Sequence, residues 1–182
     1  VSGAMISKAL EMALKHEVKE QDLLELGDYS LFEYLKQVGR KFDPEITALV
    51  EAVERRKLLK RAYVLSPASI PHSVSESLIA DYHRPGSVRT RLEETIAAAT
   101  GLNRSQIIVY CPGNRNFREA GIAVLTKTGV QKLNSPPCPQ DITQLERQYE
   151  GLWRFYVFAP GSHKTQVNKI CHELLGFPSE HF

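Results

Sequence analysis

Gln106–Leu133, QIIVYCPGNRNFREAGIAVLTKTGVQKL, reads as strand, polar basic loop, strand, turn, strand. Gln106–Cys111 and Ile122–Thr126 are rich in β-branched and apolar residues. Val130–Leu133 follows the Lys127-Thr128-Gly129 turn. Short strands joined by turns make this region antiparallel. Arg115, Arg118 and Lys127 sit among apolar strands that can hold a loop still. Fixed cations suit an anionic small molecule, phosphate above all. The plainer reading of CPGNRNFR is a loop of solvated cations, with Asn114 tolerating left-handed backbone.

Outward from this stretch, the order of elements sets the fold class. Arg61–Leu65 is a short β-prone run ended by Ser66-Pro67. Ser73 or Ser75 can cap a helix carrying Leu78 and Ile79. Ser87 can cap another, with Val88, Leu92, Ile96 and Ala99 inward and Gly101 at its end. Downstream, Asp141 caps a helix to about Tyr149, and Leu152–Phe158 is an aromatic strand. Its alternation is better explained by burial on both faces than by a base-stacking platform. Ser162 opens a last helix with Val167, Ile170, Cys171 and Leu174 inward, closed by Gly176 and Pro178. From Lys60 the order condenses to β-α-β-β-α-β plus a terminal helix. This predicts an α+β fold, with a ferredoxin-like antiparallel sheet and helices on one face.

The first 59 residues read as helix throughout. Met5, Ala9 and Met12 share a face of Ser2–His16. Asp28 can cap a helix burying Leu31, Phe32 and Leu35, which Gly39 stops. Asp43-Pro44 starts the next, with Ile46, Leu49, Val50 and Val53 as its stripe. The expected organisation is a helical segment, 1–59, and an α+β lobe, 60–182. The start at Val1 predicts the C-terminal part of a longer protein.

Composition excludes several classes. The 182 residues are 42% hydrophobic and 24% charged, enough apolar content for a core without staples. A net charge of +2 is too small to imply nucleic-acid binding by itself. The cysteines, 111, 138 and 171, are far apart and have no zinc spacing, so a reducing cytoplasm is the expected compartment. No apolar run is long enough to span a membrane.

No Walker loop, GxGxxG, serine elbow, HExxH or HD dipeptide occurs. The six histidines are scattered and read as structural or surface groups. The densest positive run is Arg55-Arg56-Lys57-Leu58-Leu59-Lys60-Arg61. Its plain reading is a solvated helix end; its sharper one is an anion contact, phosphate or a nucleic-acid backbone, through Arg55, Arg56, Lys60 and Arg61. Arg84, Arg89 and Arg91 form a second cluster. Arg89 in a first helical turn opposes the helix dipole, which calls for an acidic partner.

Three stretches resemble the C-terminal part of HD-domain phosphohydrolases, in the branch of the sterile-alpha-motif/HD-domain dNTP triphosphohydrolase and its bacterial relatives. They are VSGAMISKALEMAL, LGDYSLFEYL followed by EAVERRKLLKRAYV, and IIVYCPGNRNFREAGIAVLTKTGVQKL. The resemblance implies a helical catalytic core followed by an α+β lobe. It also implies a divalent metal on a His, an HD pair and an Asp that this chain does not contain, so the chain alone would not hydrolyse. It further implies a homo-oligomer with a regulatory nucleotide effector. Arg115 and Lys127 match that site's basic residues. NFREAGIAV between them is longer than in the family, which leaves Arg118 as the alternative second cation. A nucleic-acid-binding module and a purely structural assembly lobe are the rival readings.

Overall fold

The computed structural model describes residues 1–16, 18–113, 123–126, 129–132, 148 and 151–180. Four helices come first: α1 (Ser2–Ala13), α2 (Glu20–Leu24), α3 (Asp28–Lys41) and α4 (Pro44–Glu54). α1 buries Met5, Ala9 and Met12 along the face read from the sequence. Asp43 caps α4 by accepting from the Glu45 N–H at 3.1 Å, and Pro44 occupies N1.

Gly39 does not stop α3, which continues to Lys41. A Cβ at Gly39 would lie 2.3 Å from Thr47 Oγ1 and 2.7 Å from the Thr47 N. The missing side chain is what lets α3 and α4 approach. At the N-termini of α3, α5 (His72–Tyr82) and α6 (Ser87–Thr100), the caps are Gly27, Pro71 and Gly86, not the polar residues expected. Ser75 Oγ instead donates back to the His72 carbonyl at 2.7 Å. Gly101 and Gly176 end α6 and α7 (Lys164–Leu175) in left-handed backbone, as their sequence positions predict.

β1 (Lys60–Leu65), β2 (Ile108–Tyr110) and β5 (Phe155–Ala159) form an antiparallel sheet in the order β1-β5-β2. β3 (Ala123–Thr126) and β4 (Gly129–Lys132) pair as a separate antiparallel ribbon, with Thr126 opposite Gly129. The architecture is thus α+β, with N-terminal helices, antiparallel strands and a C-terminal helix. The helix expected over Asp141–Tyr149 lies outside the described residues, apart from Gln148.

α5, α6 and α7 cover one face of the three-stranded sheet, against Tyr63, Leu65, Val109, Phe155 and Val157. The other face meets α1, α3 and α4 through Ile108 and Phe158. Both outer edges are partly capped. On β1, Val64 donates to Ser179 Oγ at 3.1 Å and accepts from the Glu180 N–H at 2.8 Å. On β2, Val109 donates to Glu93 Oε1 at 3.0 Å, and the Cys111 carbonyl accepts from His83 Nδ1 at 3.2 Å. Backbone groups satisfied this way are not free to pair with another strand.

The buried stripes of α6 and α7 differ from expectation. Val88 is 40% exposed and Ala99 is exposed, while Arg89, Leu92, Glu93, Ile96 and Ala97 face inward. Leu174 on α7 is 47% exposed. In α6 two charged residues belong to the inward stripe. Excluding charges from a buried face therefore rotates the predicted face by part of a turn.

Candidate functional site

Arg115, Arg118 and Lys127 lie outside the described residues. The segment that leads to Arg115, Cys111–Gly113, is anchored. Trp153 Nε1 donates to the Pro112 carbonyl at 2.8 Å, and Cys111 is tied to His83 on β2's edge. A Cβ at Gly113 would sit 2.8 Å from the His83 ring, so the chain passes close over the imidazole.

The other sequence-derived cations do not act as one cluster. Arg55 caps the end of α4 and pairs with Glu51 at 3.1 Å on the surface. That is the solvated helix-end reading, worth little to stability. Arg56, Lys57 and Lys60 instead line a cavity of about 410 Å³ at the α4–β1 junction. Its floor includes Met5, Leu49 and Ala52, and Ser105 and Gln106 lie on its far side. No carboxylate lines it, and among the described residues no ion pair neutralises these three cations.

Arg56 adopts φ 55°, the single non-glycine residue with positive φ among those described. Its N–H donates to the Val53 carbonyl at 3.1 Å, and the Lys57 N–H to the Ala52 carbonyl at 2.8 Å. This is the Schellman pattern, whose left-handed residue is usually glycine. Arginine there costs roughly 1–2 kcal/mol, and backbone held in this region at a cavity wall is a feature of functional sites.

A second cleft, about 180 Å³, opens between α1, α6 and β2. It holds two ion pairs, Lys8–Glu93 and Arg89–Glu11. Lys8, Arg89 and Glu93 are all buried. The acidic partner that Arg89's position called for is therefore Glu11 of the same chain. Burial pushes the Glu93 carboxyl above its ordinary range, against the opposing pull of Lys8, the Val109 N–H and Arg89. Burial also pushes the Cys111 thiol up to about 12, so it stays protonated at neutral pH and is no nucleophile.

The sequence reading passed over Lys8, Glu11 and Glu93. Its available signal was Arg89 and Glu93, one turn apart, inside the apolar stripe of α6. Arg61 points elsewhere, over the Tyr156 ring at 5.4 Å from its centroid. Arg84 and Arg91 are exposed. Among the described residues no three His, Cys, Asp or Glu side chains converge as a metal cluster, and no helix is long and apolar enough to cross a membrane.

A family model described as the HD associated region matches residues 1–181. No curated protein and no solved structure matches the chain.

Proposed function

The chain belongs to the HD associated region family, and from that premise we propose that it is the C-terminal regulatory and oligomerisation region of an HD-domain, metal-dependent phosphohydrolase. Residues 1–59 would end the HD-type helical core, and 60–182 would form the appended lobe. The parent enzyme would act on (deoxy)nucleoside triphosphates, with its divalent metal and HD motif outside this chain. A nucleotide effector would bind the lobe and favour a homo-oligomer through linkage.

The observation that carries this reading is the uncompensated Arg56–Lys57–Lys60 cavity, with Arg56 held in a backbone state that glycine would adopt at lower cost. Three cations on a partly apolar wall suit a phosphate chain attached to a less polar group. Arg115, with Arg118 or Lys127, would add further positive charge to the effector site.

The test separates stability from binding. Arg56→Gly relieves the left-handed strain and is expected to stabilise the fold by about 1 kcal/mol, raising Tm by roughly 2–4 °C. The same variant is expected to weaken inorganic triphosphate binding about tenfold or more, since one charge-assisted contact is lost. Calorimetric titration and thermal unfolding read the two effects. Unchanged triphosphate affinity in Arg56→Gly would remove the cavity from this reading.

A second expected outcome concerns activity. The chain with added Mg²⁺ or Mn²⁺ should turn over no dNTP in a phosphate-release assay. Robust turnover by clean protein would end the proposal.

A further inference from the structure

The face of the sheet opposite α5–α7 is only partly covered by the N-terminal helices. Ile108 and Phe158 are buried there, but Tyr110 is 40% exposed and Tyr156 is half-buried. The register explains the grouping. Tyr110 lies opposite Tyr156, and Phe158 opposite Arg61, so all four side chains emerge on one face. Tyr156 and Phe158 stack at 5.4 Å with 16° between planes, and Tyr110 meets Tyr156 at 6.4 Å.

These groups line a cavity of about 370 Å³ whose opposite wall is the first turns of α1. That wall is built from Val1, Gly3, Ala4 and Ser7. No acidic side chain, histidine or cysteine lines the cavity, so it offers no metal-ligand set. Arg61 is its one cationic side chain, and no carboxylate among the described residues pairs with it.

We propose that this cavity binds the planar ring of a nucleobase against Tyr110 and Tyr156, with Arg61 receiving the phosphate that the base's sugar carries. Aromatic faces stack on any base, and an arginine beside them pairs with the anion. An aliphatic ligand would gain nothing from Arg61, and a bare phosphate nothing from the rings. The site is separate from the Arg56 cavity and does not depend on it. The base can come from a free nucleotide or from a single strand, and the two sources share this chemistry.

The probes are AMP and a fluorescein-labelled 15-nucleotide oligo-dA, titrated into the full chain at low salt, with the labelled strand followed by anisotropy. Tyr110→Ala is expected to weaken binding about 5- to 150-fold, the range for losing one stacked base. Tyr110→Phe keeps the ring and should bind within about twofold of the parent chain on the same stacking grounds. Arg61→Gln should weaken AMP but leave adenosine unchanged. AMP that responds in this pattern identifies a mononucleotide as the source. Response of oligo-dA alone identifies a single strand.

Wild-type affinity for both probes in a folded Tyr110→Ala chain overturns the proposal. So does equal loss in Tyr110→Phe, because the hydroxyl rather than the ring would then be the contact. Inorganic triphosphate binding should be untouched by Tyr110→Ala, so failure here is distinguishable from failure of the Arg56 cavity.

Discussion

Lys8→Met is expected to destabilise the fold by about 3–5 kcal/mol, because it leaves the Glu93 carboxylate buried without its counter-charge. Glu93 is 1% exposed and Lys8 7%, so bulk water is a poor replacement for either partner. Glu93→Gln should cost a comparable amount, since Lys8 is then the stranded charge. The double variant Lys8→Met/Glu93→Gln should lose far less than the sum, because no charge of the pair remains. Glutamine is the right replacement here: its amide oxygen can still accept from Val109, which leucine would orphan. Urea unfolding of the four proteins gives the coupling energy. Additive losses would mean that the pair contributes nothing as a pair.

The same pair has a pH signature. The Glu93 carboxyl is raised from 4.5 in the folded chain. The folded state therefore holds that proton more tightly than the unfolded state. Its contribution to stability is fully present below about pH 4.5 and is lost as pH rises through the folded-state value. Removing Lys8 takes away part of the pull that keeps the carboxylate charged and raises the folded value further. The cost of Lys8→Met should therefore grow from mild acid towards neutral pH. A cost independent of pH would show that Glu93 does not titrate in this window.

Gly39→Ala is the second large effect, and its sign runs against helix propensity. In an exposed helix interior, alanine for glycine gains about 1 kcal/mol. At Gly39 the new methyl would stand 2.3 Å from Thr47 Oγ1 and 2.7 Å from the Thr47 N. The helices must then part, and overpacking costs about 1–3 kcal/mol or more. The expected net loss is about 2 kcal/mol, or a fall in Tm of roughly 4–8 °C for a chain of this size. Thr47→Ala in the same chain should recover only part of the loss. It removes the hydroxyl but leaves the backbone nitrogen in the way. A more stable Gly39→Ala variant would mean that α3 and α4 are not held this closely.

Much of the local structure was legible in the sequence. The Asp43-Pro44 start, the Gly101 and Gly176 ends and the strands around 108–110, 123–126 and 155–159 all follow from residue types and their periods. The α+β class follows from their order. The Arg55–Arg61 run was legible as charge but not as geometry. Arg55 turns to Glu51, Arg56 and Lys60 to one cavity, and Arg61 to a tyrosine on the sheet.

Local signals worked where a single turn or strand decides the outcome. A cap needs an acceptor within three residues, and a left-handed helix end favours glycine whatever lies elsewhere. The sequence by itself therefore determined where most of the elements lie, how the last two helices end, and that the chain is α+β. Only the tertiary structure decided which charges go inside and which rings stay open. Lys8 and Glu93 are 85 residues apart, and Tyr110 and Tyr156 come from strands that meet only through the β2–β5 register. Burial and pairing belong to segments brought together by the fold, so no local pattern in either segment carries them.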